Sequence, residues 1–194
     1  MSAAPPGAAP PDALRAALRT VPDFPRPGIA FQDLTPVLAD PALFADALGR
    51  LAEPWAGRGG AGVTHVVGVE ARGFWFGPAL AARLGAGFVP CRKPGKLPGP
   101  TVAERYALEY GEDALHLHAD AFGPGARVLV HDDVLATGGT AAAACALVGR
   151  LGGASVGVSV VLEIAALAGR GRLPGVRVEA VLAVWRRAGR RRAG

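Results

Sequence analysis

The sequence predicts an α/β domain with a doubly wound, mostly parallel sheet and helices on both faces, plus a small N-terminal hood. Three observations indicate this fold. Five short runs rich in β-branched residues recur along the chain, and most are nearly continuously apolar, as in strands buried on both faces. Segments with helical patterning separate several successive runs, which is typical of a parallel sheet. Glycine and proline clusters mark the breaks between the segments. The five runs are 63–69, 87–93, 127–133, 155–164 and 176–185.

The composition is that of one globular domain with a buried core. The chain has 194 residues, of which 51% are hydrophobic and 19% charged. No apolar run is long enough to cross a bilayer, and the first residues lack the basic start and apolar stretch of a secretory signal. Cys91 and Cys145 are far apart and lack metal-ligand spacing, which suits a reducing compartment. We therefore expect a soluble cytoplasmic protein without a disulfide or a zinc site.

The basic character of the chain belongs to its C-terminal end. The formal net charge is +5, but residues 186–194 hold five arginines and no acid. The remainder carries 16 basic and 16 acidic side chains, so the body of the protein is neutral. We interpret residues 186–194 as a solvated basic tail, and we do not expect nucleic-acid binding.

The first 38 residues are predicted to form a disordered segment followed by the hood. Prolines and alanines dominate residues 1–11, which we expect to be disordered. The hood comprises residues 12–38. In it, Asp12 is placed to cap a short helix that runs to about Thr20. The proline-rich stretch 21–31 cannot continue that helix and is predicted to be a stiff loop. Long loops in compact domains are often binding elements.

The α/β core is predicted to span residues 39–185. Asp40 and Pro41 suit the N-cap and first position of a helix, and an apolar stripe of helical spacing follows them. Ligands of open parallel sheets bind at the carboxyl ends of the strands, so functional residues are expected there. Helices of the core are predicted at 40–52, 74–85 and 140–151.

The stretch "VLVHDDVLATGGTAAAAC" (128–145) places two carboxylates before a glycine turn that opens a helix. The first turn of a helix leaves backbone N–H groups unpaired at the positive end of the helix dipole, which favours a phosphate. Gly138 and Gly139 let the main chain approach the ligand closely, and the flanking threonines add hydroxyl donors. Asp132 and Asp133 would repel a phosphate, but as acceptors they suit the adjacent hydroxyls of a ribose 5-phosphate. A ribose 5-phosphate ligand therefore accounts for the whole stretch.

The residue content of this stretch excludes two familiar phosphate-binding motifs but leaves a structural alternative. No lysine follows the glycines, which excludes a P-loop, and no third glycine has the dinucleotide-binding spacing. In the structural alternative, Asp132 and Asp133 only cap the turn and the glycines only permit it. Glycine-rich strand-to-helix turns are common in this fold class, so the alternative stays open on this stretch alone.

The stretch "VHDDVLATGGTAAAA" resembles the phosphoribosyl diphosphate (PRPP) signature of the type I phosphoribosyltransferase family. Further segments are similar, in order and spacing, to those of the adenine phosphoribosyltransferases within that family, and together they cover about residues 21–170. The resemblance implies the type I phosphoribosyltransferase fold. The further segments are "VPDFPRPGIAFQDLTPVL", "GVEARGFWFGPALA", "RKPGKLPG" and "LEYGEDALHLHADAF".

For function, the resemblance implies purine salvage, in which the 5-phosphoribosyl group of PRPP is transferred to adenine to give AMP and diphosphate. It implies Mg²⁺ held mainly by PRPP oxygens, with no direct protein ligand, which suits a hard cation that keeps several waters. It also implies a homodimer in which some cations serve the neighbouring subunit's site. Two alternatives remain open: a phosphoribosyltransferase for another purine base, and a non-catalytic regulator that senses PRPP.

The resemblance assigns site residues position by position. Glu109 would be catalytic by exchanging a proton with the base, and Arg72 would be catalytic by binding the diphosphate. A mobile lid at about 98–115 would close over the substrates and exclude water, with Tyr110 beside the glutamate. The ribose and 5-phosphate would be bound by Asp132, Asp133, Ala136, Thr137, Gly138, Gly139 and Thr140, the diphosphate by Arg72, Arg92, Lys93 and Lys96, and adenine by Ala30, Phe31 and Gln32.

The base pocket is assigned to the proline-rich loop of the hood. The resemblance implies that Phe31 stacks on the purine, while main-chain groups of Ala30 and Gln32 read the adenine edge. Family members often have a basic residue in place of Gln32, but a main-chain contact survives that change. Val161 or Leu162 would cover the other face of the base.

Two features outside the substrate contacts carry expectations of their own. The resemblance implies a non-proline cis peptide near Glu70–Ala71. Three histidines also stand out. His131 occupies a position that is usually apolar in the signature, and we interpret it as a strand side chain facing a neighbouring helix. His116 and His118 alternate on one strand face and are interpreted as solvated strand residues rather than metal ligands, because no third ligand lies nearby.

Overall fold

The computed structural model describes residues 13–57, 62–108 and 111–185. The helices are α1 (Ala13–Ala17), α2 (Thr35–Ala39), α3 (Pro41–Ala52), α4 (Gly77–Leu84) and α5 (Gly139–Arg150). The strands are β1 (Arg19–Pro22), β2 (Ala30–Asp33), β3 (His65–Val69), β4 (Gly87–Cys91), β5 (Thr101–Leu108), β6 (Gly111–His118), β7 (Arg127–Leu135), β8 (Ala154–Ile164) and β9 (Val178–Val184). Short 3₁₀ turns lie at Glu53–Trp55, Arg72–Phe74, Ala165–Leu167 and Gly169–Arg172.

Five parallel strands form the central sheet, in the order β4-β3-β7-β8-β9. Each of the five apolar runs in the sequence overlaps one of these strands, which confirms that part of the prediction. Strand β7 continues two residues beyond its predicted end, because Val134 and Leu135 still pair with β8, opposite Leu162 and Glu163. The two adjacent acids therefore lie within the last part of the strand rather than at its end.

Separate apolar clusters cover the two faces of the sheet. On one face, α5 and the hairpin of β5 and β6 pack against the sheet around Leu147 and Leu115. On the other face, α1, α3 and α4 pack around Phe76 and Leu129. This arrangement confirms the predicted doubly wound fold with both faces covered. It leaves the carboxyl edge of the strands as the place for a ligand.

Helix α3 begins where the sequence predicts. The Asp40 carboxylate accepts hydrogen bonds from the backbone N–H groups of Ala42 and Leu43, at 2.8 and 3.0 Å. Pro41 occupies the first helical position, where its missing N–H has no cost. An N-cap of this kind stabilises a helix by about 1 kcal/mol.

The N-terminal hood differs from its prediction. Helix α1 ends at Ala17 instead of about Thr20, because β1 pairs with β2 as an antiparallel ladder. Arg19 and Asp33 form an ion pair between the two strands, and the side chains of Thr20 and Gln32 are hydrogen bonded. Cross-strand contacts of this kind outweigh the local helical spacing of the apolar residues. The stretch 21–31 is therefore not a loop throughout: its ends belong to β1 and β2, and residues 23–29 connect the two strands of a small hairpin.

The predicted lid corresponds largely to a second antiparallel hairpin. Its ladder runs from Thr101 opposite His118 to Leu108 opposite Gly111. The side chain of Leu117 in β6 is fully buried against the sheet, so the base of the hairpin is anchored in the core. Movement of this hairpin over a substrate stays a prediction.

His131 and the cis peptide agree with their predictions. The Glu70–Ala71 peptide is cis. His131 is buried in β7, and its ring packs edge-on against Phe76 beside the start of α4, with the ring centres 6.4 Å apart. Its Nδ1 lies 3.0 Å from the carbonyl oxygen of Ser159. Burial lowers the pKa of His131 from its ordinary value of 6.5 to about 4, so the imidazole is neutral at physiological pH.

Three sequence-based predictions fall outside the described residues. They are the disordered segment at 1–11, the basic tail at 186–194, and the roles of Glu109 and Tyr110. Within the described ranges, no helix has both the length and the apolar composition that crossing a membrane requires.

Candidate functional site

A cavity of about 230 Å³ opens at the carboxyl edge of the sheet, where β3 and β7 end. A smaller cavity of about 60 Å³ adjoins it at the entrance to α5. This is the edge at which an open parallel sheet is expected to bind its ligand. The larger cavity is lined by Glu70, Ala71, Arg72, Lys93, Tyr106, Asp132, Asp133, Val134, Ala136 and Thr140.

The segment Ala136–Thr140, called the phosphate loop below, leads from β7 into α5. Gly138 occupies the N-cap position with φ +82°, in the left-handed region that favours glycine. Because glycine carries no side chain to cap the helix, the N–H groups of the first turn are available to an anion. Thr137 and Thr140 line the smaller cavity beside these amides. The loop thus has the geometry expected for a phosphate site.

Asp132 and Asp133 both line the larger cavity but have different environments. Asp133 is 3% exposed, and its Oδ2 lies 2.8 Å from Nε of Arg72. Burial raises the pKa of Asp133, and the Arg72 charge offsets part of that rise. Burial, followed by the charge of Asp133, raises the pKa of Asp132 well above its ordinary value of 3.8. Arg72 holds the Asp133 carboxylate, whereas Oδ1 of Asp132 accepts a hydrogen bond from the backbone N–H of Asp133 at 2.9 Å, which leaves Asp132 acceptor capacity for ligand hydroxyls.

Arg72 connects three parts of the site. It lies in the turn after β3, lines the larger cavity, and pairs with Asp133. Its guanidinium carbon also lies 5.1 Å from the centre of the Phe31 ring, which joins the cavity to the hood. A cation at a helix start is destabilised by the positive end of the helix dipole unless an anion lies beside it, and here Asp133 is that anion. The Arg72 side chain is 40% exposed, so it can also reach an anionic ligand.

The turn after β4, residues 92–96, holds three of the cations assigned to diphosphate. Lys93 lines the cavity, whereas Arg92 and Lys96 are absent from its described lining. Glu70 shapes this turn. Its Oε2 accepts hydrogen bonds from Nε of Arg92 at 3.1 Å and from the backbone N–H of Lys93 at 2.9 Å. Nη1 of Arg92 donates to the carbonyl oxygen of Lys96 at 3.0 Å. No local pattern in the sequence predicts this role of Glu70, because its contacts join residues 22 and 23 positions apart.

Two residues of the hairpin contact the Lys93 ammonium beside the cavity. Its Nζ forms an ion pair with Asp113 and donates to the hydroxyl of Tyr106 at 2.8 Å. Tyr106 and Asp113 stand opposite each other in the ladder of β5 and β6. No local pattern in the sequence predicts either residue, and the register of the hairpin is the signal that relates them to one another.

The residues assigned to adenine lie in β2 of the hood. Phe31 is half-buried, and its ring centre lies 5.1 Å from that of Phe24, which is edge-on, and 5.1 Å from the guanidinium carbon of Arg72. Ala30 and Gln32 flank it in the strand, opposite β1. Among the described residues β2 pairs only with β1, so the main-chain groups on its other edge can meet a ligand. The structure thus brings Phe31 next to the cavity through Arg72.

Three further positions differ from the predicted site or add to it. Val161 and Leu162 are at most 1% exposed and belong to the hydrophobic core, so the prediction that one of them covers the base is wrong. Gly169 was missed. A Cβ on Gly138 would overlap the carbonyl oxygen of Gly169, and one on Gly169 would overlap that of Ala136. Gly169 therefore supports the phosphate loop from a distant part of the chain, where no motif signals it.

Comparisons with known proteins agree with this geometry. Residues 38–179 match the family described as "Phosphoribosyl transferase domain". The adenine phosphoribosyltransferase of Myxococcus xanthus is 56% identical over 169 residues, which are 87% of this chain and 90% of the relative. That of Thermobifida fusca is 52% identical over 167 residues, covering 86% and 93% of the two chains.

Solved structures give the same result. The adenine phosphoribosyltransferase of Rhodothermus marinus shares 53% identity with a TM-score of 0.85, and the match covers 90% of this chain and 98% of that one. The enzyme of Saccharomyces cerevisiae, solved in complex with adenine and an imino-altritol bisphosphate, shares 39% identity with a TM-score of 0.82, covering 89% and 98% of the chains. The cavity, the phosphate loop and these matches together show that the chain belongs to the adenine phosphoribosyltransferase family.

Proposed function

We propose that this chain transfers the 5-phosphoribosyl group of PRPP to N9 of adenine in purine salvage. The bond between the anomeric carbon and the diphosphate oxygen breaks, the bond from that carbon to N9 forms, and the proton on N9 is lost. The products are AMP and diphosphate. The observation that carries this proposal is the acid pair and glycine turn of Asp132–Thr140, which leads from β7 into α5. It occurs in a chain 56% identical to an adenine phosphoribosyltransferase.

We assign each part of PRPP to one part of the cavity. The amides of the phosphate loop bind the 5-phosphate, since they lie at the positive end of α5. Asp132 accepts hydrogen bonds from the ribose hydroxyls, and Asp133 orients Arg72 through their ion pair. Arg72 and Lys93 face the departing diphosphate, where their charges stabilise the negative charge that develops.

The base lies between the cavity and the hood in this proposal. Phe31 stacks on adenine, because its ring is the aromatic surface nearest Arg72 in the hood strand. Main-chain groups of Ala30 and Gln32 on the free edge of β2 read the adenine edge. Glu109 exchanges a proton with the base, and Tyr110 closes beside it; both roles rest on the family resemblance.

Mg²⁺ fits this site as part of the substrate complex. In the part of the chain that the structure describes, no three His, Cys, Asp or Glu side chains converge as a metal-binding group. Asp133 is already paired with Arg72, whose positive charge disfavours a second cation there. Phosphate and ribose oxygens of PRPP would therefore hold the ion, which would neutralise charge on the departing diphosphate.

We further propose that the enzyme is a cytoplasmic homodimer. The free thiols of Cys91 and Cys145 suit a reducing compartment. Arg92 and Lys96 lie outside the described lining of the cavity in their own subunit, which suits cations that serve a neighbouring site. The dimer is a C2 assembly in this proposal, the commonest arrangement for homo-oligomers.

One incubation tests the proposed activity. The purified chain is mixed with PRPP, Mg²⁺ and one free base at a time (adenine, hypoxanthine, guanine or xanthine), and the nucleotide product is separated chromatographically. We expect AMP from adenine and little product from the other bases. Preferred turnover of another purine would shift the base assignment. PRPP binding without any nucleotide product would instead identify a regulator.

A further inference from the structure

The phosphate loop rests on a short segment that follows β8. Gly169, at the start of the turn Gly169–Arg172, lies against the backbone of Ala136 and Gly138. A methyl group added to Gly138 or to Gly169 would overlap a carbonyl oxygen of the opposite backbone. Two glycines therefore meet backbone to backbone. The position of Gly169 limits the positions that the loop can take.

An arginine next to Gly169 is clamped onto the sheet. Nε and Nη2 of Arg170 donate to the two carboxylate oxygens of Glu163 at 2.8 to 3.0 Å. Nη1 of Arg170 donates to the carbonyl oxygen of Val178 in β9 at 2.7 Å. All three guanidinium nitrogens thus donate within the protein. Arg170 therefore links the end of β8, strand β9 and the segment that contacts the phosphate loop.

The clamp closes the segment 163–170 at both ends. Glu163 is 8% exposed and stands at the end of β8, opposite Leu135 of β7. Between the two charged residues the chain makes a 3₁₀ turn and then places Ala168 at φ +51°, a conformation that non-glycine residues rarely adopt. Such a conformation persists where the surrounding structure enforces it. The bidentate ion pair at Arg170 lies two residues beyond Ala168 and restrains the chain on that side.

We propose that Glu163 and Arg170 are positioning residues for the 5-phosphate of PRPP, acting through Gly169 on the phosphate loop. The inference rests on the proposed function. A glycine-containing loop loses much conformational freedom when it binds, so a loop that is already held in place binds its phosphate more tightly. The clamp acts on the 5-phosphate end of PRPP, whereas Arg72 and Lys93 at the diphosphate end belong to other elements.

The test separates the two ends of PRPP. Arg170→Lys keeps the charge but removes the bidentate fork, and Glu163→Gln is a second, milder variant should the first fail to fold. The matched control is Arg177→Lys, which alters another arginine–glutamate pair, with Nε of Arg177 2.8 Å from Oε1 of Glu179 on the surface. Binding of ribose 5-phosphate and of diphosphate is measured by calorimetry, and KM and kcat are measured with adenine and PRPP.

For Arg170→Lys we expect about a tenfold loss of ribose 5-phosphate affinity and a similar rise in KM for PRPP. Diphosphate affinity, KM for adenine and kcat at saturating PRPP should stay within about twofold of wild type, as should every parameter of Arg177→Lys. Unchanged ribose 5-phosphate affinity in folded variants would overturn the inference, and so would equal losses for both probes. If the wild-type protein itself fails to bind ribose 5-phosphate or to form AMP, the proposed function is wrong, and this inference is wrong for the same reason.

Discussion

Adjacent residues in this site have different tasks because their surroundings differ. Asp132 and Asp133 follow one another in β7, yet Arg72 holds only Asp133 in an ion pair. Successive side chains of a strand point to opposite faces, so neighbours in sequence meet different partners. The same holds for His131, whose side chain is buried against Phe76 one residue before Asp132.

Replacing Asp132 should affect PRPP and leave adenine binding unchanged. Asp132→Asn keeps the shape of the side chain but removes the charged acceptor, so PRPP affinity should fall roughly 10- to 100-fold, as for loss of hydrogen bonds to a charged group. Calorimetric titration with PRPP and with adenine checks this. Glu179→Gln, on the surface of β9, is the control for loss of a carboxylate. PRPP affinity equal to that of wild type would contradict the assignment of Asp132 to the ribose.

His131 should make the fold sensitive to acid. Its folded pKa of about 4 lies below the ordinary value of 6.5, so between these pH values the unfolded chain binds a proton that the folded chain does not. Stability therefore falls as the pH falls through that window, by about 2 kcal/mol between pH 7 and pH 5. His131→Val should remove this difference, which urea unfolding at the two pH values measures. An unaltered difference in His131→Val would show that other groups cause the acid sensitivity.

At the scale of elements, the site depends on how the ends of strands and helices meet. The phosphate loop is short and local, but its position depends on α5, on β7 and on the segment around Gly169. The hairpin of β5 and β6 reaches the same cavity from another side through Tyr106 and the Asp113–Lys93 ion pair. Rigid elements that converge in this way hold side chains more accurately than a loop does alone.

Two glycines that flank α5 allow a matched test of the contact between the phosphate loop and Gly169. Gly138 precedes the helix and Gly152 follows it, with φ of +82° and +78°. A Cβ at Gly138 would overlap Gly169, whereas a Cβ at Gly152 meets nothing within 4 Å. Gly152→Ala should cost about 1 to 2 kcal/mol of stability and leave activity intact. Gly138→Ala should cost more stability and at least about a hundredfold of kcat/KM for PRPP. Similar activity in the two variants would contradict the role of the loop contact.

The Asp113 carboxylate should compete with diphosphate for Lys93. In Asp113→Asn the ammonium loses its partly exposed ion pair, so diphosphate affinity should rise about two- to fivefold, in line with the small energy of such pairs. Calorimetric titration with diphosphate measures this. Asp120→Asn, an exposed position beyond β6, is the control. A lower diphosphate affinity in Asp113→Asn would mean that the carboxylate holds Lys93 in its binding position instead.

At the scale of the whole molecule, the proposed dimer predicts complementation between two variants that are each impaired at low PRPP concentration. If Lys96 serves the partner's site, a mixed dimer of Lys96→Ala and Asp132→Asn subunits contains one intact site. Random mixing of the two subunits should then restore about a quarter of wild-type activity. Activity is measured after co-expression, with each variant alone as the control. No recovery in a mixture shown to form mixed dimers would place Lys96 in its own subunit's site.

The sequence by itself determined the parts of this protein that depend on neighbouring residues. Continuous apolar runs specify strands buried on both faces, and Asp40 with Pro41 specifies the start of α3. The phosphate loop could be predicted because its ligand groups are consecutive amides at one helix start, which a short pattern can encode. The family resemblance depends on such local stretches, and the family comparisons agree with it.

The tertiary structure alone decided which distant residues complete the site. The ion pair of Arg72 with Asp133, the contact of Lys93 with Asp113, and the support of the phosphate loop by Gly169 each join separate elements. The pairing of β1 with β2 also overrode the local helical spacing near Thr20. Such contacts depend on strand register and on the order of strands in the sheet. Both are set by packing over the whole chain, so no short stretch of sequence encodes them.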